Sequence, residues 1–240
     1  MKKSKNIIFL ARCLLIIICL NPGVVLSQVQ LYTGTGSTYN PFGTATVGSF
    51  TKVYELPYSS ILNGTPYLNE EWKNADIIFS QDTLFVKDIP VKIDIMNNWL
   101  EVKFEEQIYL LYADDTYSFI LKDNNDTYIT KNALGTNGPS GFFKVLYNEK
   151  SSLFCHYSTG IKKANYIPAF NVGDRDDKII IVKTYYAFIN RQLIELEKNK
   201  RKFTRQFNSN EEMDAFFRHN KINPKDEQDL IKFIKYYDSK

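Results

Sequence analysis

The sequence predicts a mainly β protein: an antiparallel meander sheet, curved, half-barrel-like or folded as a sandwich, that ends in a C-terminal helical pair. Three observations carry this. Apolar and polar residues alternate with a period of two in run after run between Ile77 and Leu196. The breaks between runs are short and rich in Asn and Asp, too short for helical crossovers, so neighbours in sequence are expected to pair antiparallel. After residue 206 the apolar period lengthens to that of a helix.

The elements follow in order. Lys2, Lys3 and Lys5 precede an apolar run from Ile7 to Leu20 that only Arg12 interrupts, and Val25-Leu26-Ser27 places small or modest side chains before Gln28. This is the pattern of a cleavable signal peptide over residues 1–27, with an apolar stretch too short to span a bilayer. The expectation is an exported protein, periplasmic or secreted, with no transmembrane segment in the mature chain. Residues 28–49, with Gly34, Gly36, Gly43 and Gly48, read as a flexible N-terminal arm. Residues 50–206 are assigned to the antiparallel β domain and residues 207–240 to helices packed on the sheet.

Within the β domain the clearest signal is a hairpin. Val91, Ile93 and Ile95 alternate with Lys92 and Asp94, and after Asn97-Asn98, Leu100, Val102 and Phe104 alternate with Glu101 and Lys103. Further strands are expected at 77–79, 84–86, 108–112, 117–121, 142–147, 153–157, 179–188 and 192–196. In the tail, Ser209 with Glu212 reads as a capping box and Asn223-Pro224 as an N-cap followed by a first-turn proline. Leu230, Phe233, Ile234 and Tyr237 then form one apolar stripe, expected to dock on the sheet.

Charge and cysteine content narrow the function classes. The leader carries four of the 30 basic residues and none of the 27 acidic ones, so the mature net charge is −1 and no basic field for nucleic acid remains. Cys13 and Cys19 leave with the leader, and Cys155 stands alone, without a partner for an internal disulfide. Cys155 adjoins His156, but adjacent residues on a strand face opposite ways and cannot act as nucleophile and base. His219 is the only other histidine, so a zinc site is not expected. Asp123 to Thr127 begins like a calcium loop, yet Tyr128 stands where the turn glycine belongs and Leu134 where the bidentate glutamate belongs. Gly34-Thr35-Gly36-Ser37 lacks the lysine of a phosphate cradle. No catalytic residue, metal or cofactor is assigned.

The positive feature is aromatic content, 16 Tyr and 17 Phe with Trp72 and Trp99. Tyr and Trp join an apolar face to a polar handle, which suits sheet packing and the binding of sugars or amphipathic ligands. Tyr67, Trp72 and Trp99 are the candidate ligand-binding residues. The function expected is a non-enzymatic envelope protein that binds an apolar ligand or a partner protein on its sheet. The alternative is a secreted hydrolase using Cys155 or carboxylates such as Glu70, Glu71, Glu101 and Glu105, whose separation in space would decide the chemistry.

The stretch Gly64-Thr65-Pro66-Tyr67-Leu68-Asn69-Glu70-Glu71-Trp72, the hairpins after it, Gly141 to Tyr147, Tyr185-Tyr186, and Asn220 to Asn223 with Tyr236-Tyr237 carry a resemblance. Over residues 60–238 the chain resembles a family of exported Bacteroidota envelope proteins of uncharacterised function. The resemblance implies an envelope location and supplies no activity, cofactor or catalytic residue.

Overall fold

The computed structural model describes residues 31–32, 51–53, 63–79, 85–114, 117–207 and 211–240. The signal peptide, most of the N-terminal arm, and Ser209 of the expected capping box lie outside them. The protein is mainly β, as the sequence predicts. Ten strands form the antiparallel body of the sheet: β3 (Lys73–Phe79), β4 (Phe85–Asp94), β5 (Trp99–Phe104), β6 (Gln107–Tyr112), β7 (Tyr117–Leu121), β8 (Thr127–Thr130), β9 (Phe142–Asn148), β10 (Ser152–Lys162), β11 (Lys178–Ile189) and β12 (Gln192–Glu195). Two short strands precede them, β1 (Leu31–Tyr32) against β4 and β2 (Thr51–Val53) against β6. The sheet is not closed; β12 and β2 are its two ends.

Strand order is β12-β11-β10-β9-β8-β7-β3-β4-β5-β6-β2. Within the body β3–β12, sequence neighbours pair antiparallel, as expected, except once: β7 lies beside β3 instead of β6. In a flat sheet β6 and β7 would be four strand spacings apart, about 19 Å. The four-residue link between Tyr112 and Tyr117 reaches only about 17 Å when fully extended. The β3–β6 half must therefore curl over its neighbour, and Tyr117 fastens the curl by donating its hydroxyl to Leu111 O at 3.0 Å.

The expected hairpin is present with Val91 opposite Val102, Ile93 opposite Leu100 and Asp94 opposite Trp99, and Asn98 takes a positive φ of 56° in its turn. Phe85–Val86 and Val91–Asp94, expected in two separate strands, belong to one strand, β4; Leu84 of the first expected strand lies outside the described residues. A bulge at Lys87–Asp88 separates the two alternating runs by shifting register between Ala75 and Ile77 of β3. Asp88 holds a φ of 52°, its N–H donates to Asp76 Oδ1 at 3.0 Å, and the bulge accommodates Pro90, which could not sit in an unbroken central ladder.

Three helices follow the sheet where a pair is predicted: α2 (Lys200–Gln206), α3 (Glu211–His219) and α4 (Glu227–Asp238); α1 (Lys131–Leu134) is a single turn after β8. The basic run Lys198 to Arg205, within the span assigned to the β domain, is instead largely α2, capped by Asn199, whose side chain accepts from Arg201 N and Lys202 N. The N-cap of α4 is Asp226 and not Asn223; Asn223 accepts from Lys225 N at 3.2 Å in the preceding turn. Asp226 with Glu227 and Asp229 suits the positive end of the helix dipole.

The inner face of the sheet and the helices share one core. Leu230, Phe233 and Ile234 are fully buried, and Phe203, Phe207 and Phe217 surround Phe233 with ring centroids 5.0, 4.8 and 6.1 Å away. On the outer face Phe143, Phe154 and Tyr186 form a second apolar cluster. At the β12 end, the Gln206 side-chain amide donates to Glu195 O at 2.6 Å and accepts from Glu197 N at 2.9 Å.

Candidate functional site

Alternation on β4 and β5 sends Val91, Ile93, Leu100 and Val102 into the core and Lys92, Asp94, Trp99 and Glu101 to the outer face. The irregular segment before β3 lies against this hairpin. Leu68 N donates to Ile93 O at 2.9 Å, Ile95 N donates to Pro66 O at 2.9 Å, and Tyr67 bridges to Asp94. The Lys92 ammonium lies 4.9 Å from the Tyr67 ring centre and 5.2 Å from that of Trp72, and Tyr67 donates its hydroxyl to Glu101 Oε1 at 2.8 Å. Trp99 meets Tyr112 edge-on at 6.2 Å, with its indole nitrogen buried and without a hydrogen bond. Asp94 is fully buried and accepts from Asn97 N at 2.8 Å and Asn97 Nδ2 at 2.9 Å.

Tyr67, Trp72 and Trp99 thus lie on one patch, around residues that sequence reasoning had not joined to them. Lys92 occupies the two aromatic faces nearest it, so the arrangement works as a clasp that holds residues 63–72 to the sheet. Burial pushes the Glu101 carboxyl above the ordinary range, against the opposing hydrogen bond from Tyr67. A raised folded-state value means the folded protein keeps this proton to higher pH than the unfolded chain does. Stability from this group is present below pH 4.5 and is lost as pH rises through the folded-state value. The stability difference between Glu101→Gln and wild type should therefore shift in favour of the variant from pH 4.5 to pH 7, read from urea midpoints. A shift in favour of wild type would show that Lys92 and Tyr67 outweigh desolvation.

Cys155 is fully buried among core residues, and burial pushes its thiol up to about 11. His156, next along β10, is on the outer face. Its Nε2 lies 2.9 Å from Ser140 O, its ring is 4.9 Å from that of Phe143, and burial lowers its pKa. Cys155 is thus a packed core thiol and His156 a member of the outer aromatic cluster. His219 is exposed at the end of α3. Among the carboxylates weighed for hydrolysis, Glu101 is buried, whereas Glu70, Glu71 and Glu105 are exposed.

The acidic turns hold lysines. Asp123 pairs with Lys73 at 3.1 Å and Asp126 with Lys144 at 2.7 Å. Asp174 pairs with Lys162 at 2.8 Å and Lys178 at 2.6 Å, and Asp177 with Lys163 at 2.7 Å. Among the described residues no group of three or more His, Cys, Asp or Glu is placed to hold a metal ion.

Two further features are visible only in three dimensions. The first is an arm. β9 pairs with β10 only at Ser152–His156 and β12 pairs with β11 only at Tyr186–Ile189, so from Tyr157 and Lys183 outward the two strands form a ribbon about 20 Å long. Asn63 bridges to its far end at Lys178. Nine large apolar side chains are exposed among the described residues, and six belong to this ribbon and its tip: Ile161, Ile167, Phe170, Val172, Ile180 and Ile181, with Phe170 75% exposed. The run Ile179 to Val182 is legible as a strand, but nothing in it signals that the strand would leave the sheet. The second feature is an outer-face cleft of about 640 Å³ between the loop 135–139 and the β11–β12 hairpin.

Among the described residues no helix is long and apolar enough to cross a membrane. Compared with protein-family models, with curated proteins and with solved structures, the chain matches none.

Proposed function

We propose that this is an exported envelope protein that works by binding, without covalent catalysis, and that it engages a partner protein through the apolar tip of the β10–β11 arm. The observation that carries the reading is the concentration of exposed apolar side chains on the arm. Scattered single apolar residues on a surface need no explanation, whereas six gathered on one ribbon and its tip mark an interaction surface. The charges around the tip are already spent. Lys162, Lys178 and Lys163 are held by Asp174 and Asp177, and Arg175 stacks 4.6 Å over Tyr166. An electrically closed, apolar tip fits an apolar groove on a protein better than an anionic surface. The inner face offers no comparable opportunity, because α2–α4 fill it with fully buried side chains.

A photo-reactive residue at Phe170, introduced in the native envelope, should give one discrete protein adduct. The adduct should disappear in the Ile167→Asp, Val172→Asp double variant, whose melting temperature should stay close to wild type because both side chains are exposed. No adduct, an adduct with lipid instead of protein, or one that survives the double variant would overturn the reading.

A further inference from the structure

We infer that the outer-face cleft between the loop 135–139 and the β11–β12 hairpin is a second binding site, for a neutral carbohydrate. At about 640 Å³ it falls in the size range of small-molecule sites. Its chemistry selects the ligand class. Thr136, Asn137, Tyr186, Arg191, Gln192 and Glu195 line it, so hydroxyl, amide, phenol, guanidinium and carboxylate groups converge on one concavity. The two amides each carry a donor pair and an acceptor on one plane, which matches adjacent sugar hydroxyls, themselves both donors and acceptors. Among the described residues Arg191 and Glu195 are the only charged ones in the lining, and they cancel. A lining with no net charge gives a phosphate or a uronate no advantage over a neutral polyol, and so polar a lining does not suit a lipid chain.

The floor is preorganised. Tyr186 is nine-tenths buried, rests edge-on against Phe143 at 5.7 Å and His156 at 6.1 Å, and donates its hydroxyl to Glu195 Oε2 at 3.2 Å. Its ring and the carboxylate are therefore set before a ligand arrives, which reduces the ordering cost of binding. The opposite wall is set by Gly138. The Cβ position of this glycine lies 2.6 Å from Leu193 Cδ2, so the loop meets β12 there, at the tip of the Leu193 side chain, and closes the cleft's end. This site is separate from the arm, and neither inference depends on the other.

The test is titration calorimetry of the purified protein with neutral hexasaccharides of glucose, mannose, xylose and N-acetylglucosamine, alongside a hexauronate and an unstructured peptide. At least one neutral hexasaccharide should bind saturably. Asn137→Ala and Gln192→Ala, both at exposed positions that should leave folding intact, should each weaken that binding tenfold or more. The Ile167→Asp, Val172→Asp arm variant should bind it as wild type does. Failure of every neutral sugar to bind, binding unchanged in both cleft variants, or binding of the hexauronate or the peptide alone would overturn the inference.

Discussion

Phe233→Ala should lower stability by about 3–5 kcal/mol, the usual scale for truncating a buried phenylalanine. Phe233 is fully buried and sits where α2, α3 and α4 meet, with Phe203 edge-on at 5.0 Å, Phe207 at 4.8 Å and Phe217 at 6.1 Å. Removing its ring leaves three aromatic neighbours facing a void, and rings anchored on α2, its C-cap and α3 cannot collapse into it without moving helix axes. The urea midpoint should fall accordingly. Phe216→Ala provides the contrast, because Phe216 is only half-buried and stacks on Tyr236 at 3.8 Å, so it should cost much less. A midpoint unchanged in Phe233→Ala would mean that the helices do not pack on the sheet in solution.

Tyr117→Ala should cost a similar amount, about 3–5 kcal/mol, for two reasons that a second variant separates. The side chain is fully buried between Phe79 at 5.8 Å and Phe142 at 6.2 Å, and its hydroxyl is donated to Leu111 O at 3.0 Å. Tyr117→Phe keeps the ring and removes only the hydroxyl, leaving a buried carbonyl without that donor, so it should cost about 1–3 kcal/mol. Because Leu111 belongs to β6 and Tyr117 to β7, this bond spans the one place within β3–β12 where sequence neighbours part. If Tyr117→Phe were neutral while Tyr117→Ala remained costly, the curl would depend on packing alone.

The legible parts of the fold were those with local causes. Hairpin β4–β5, strands β7, β9 and β11, and the stripe of α4 each announce themselves by period and flanking turn residues within about a dozen positions. The crossing from β6 to β7 is not local: nothing in Ala113 or Asp114 says that β7 will pair with β3, a segment some forty residues earlier. Thr127–Thr130 is too short to establish a period, and α2 shows only Phe203 as a buried anchor in a basic run. In β4 the bulge resets alternation, so one strand reads as two.

The candidate residues show the same divide. Tyr67, Trp72 and Trp99 could be chosen by type, but Lys92 and Glu101, which join Tyr67 in one clasp, could be linked to it only through hairpin register and a segment without periodicity. Of the arm and the cleft, neither has a sequence signature. The arm exists because β9 and β12 stop pairing before β10 and β11 end, and the cleft exists because a loop from one part of the sheet settles over another.

The Gln206 amide at the β12 end has a consequence for how the protein meets its own copies. An unfinished sheet margin is a template on which another chain can be laid, and repetition of that step leads to fibrils. Here a carboxamide, the same chemical group as a peptide bond, occupies the Glu195 carbonyl and the Glu197 amide as a neighbouring chain would. One side chain acts as a chain terminator, so further growth of the sheet at those two positions would first have to displace a group the molecule supplies for itself.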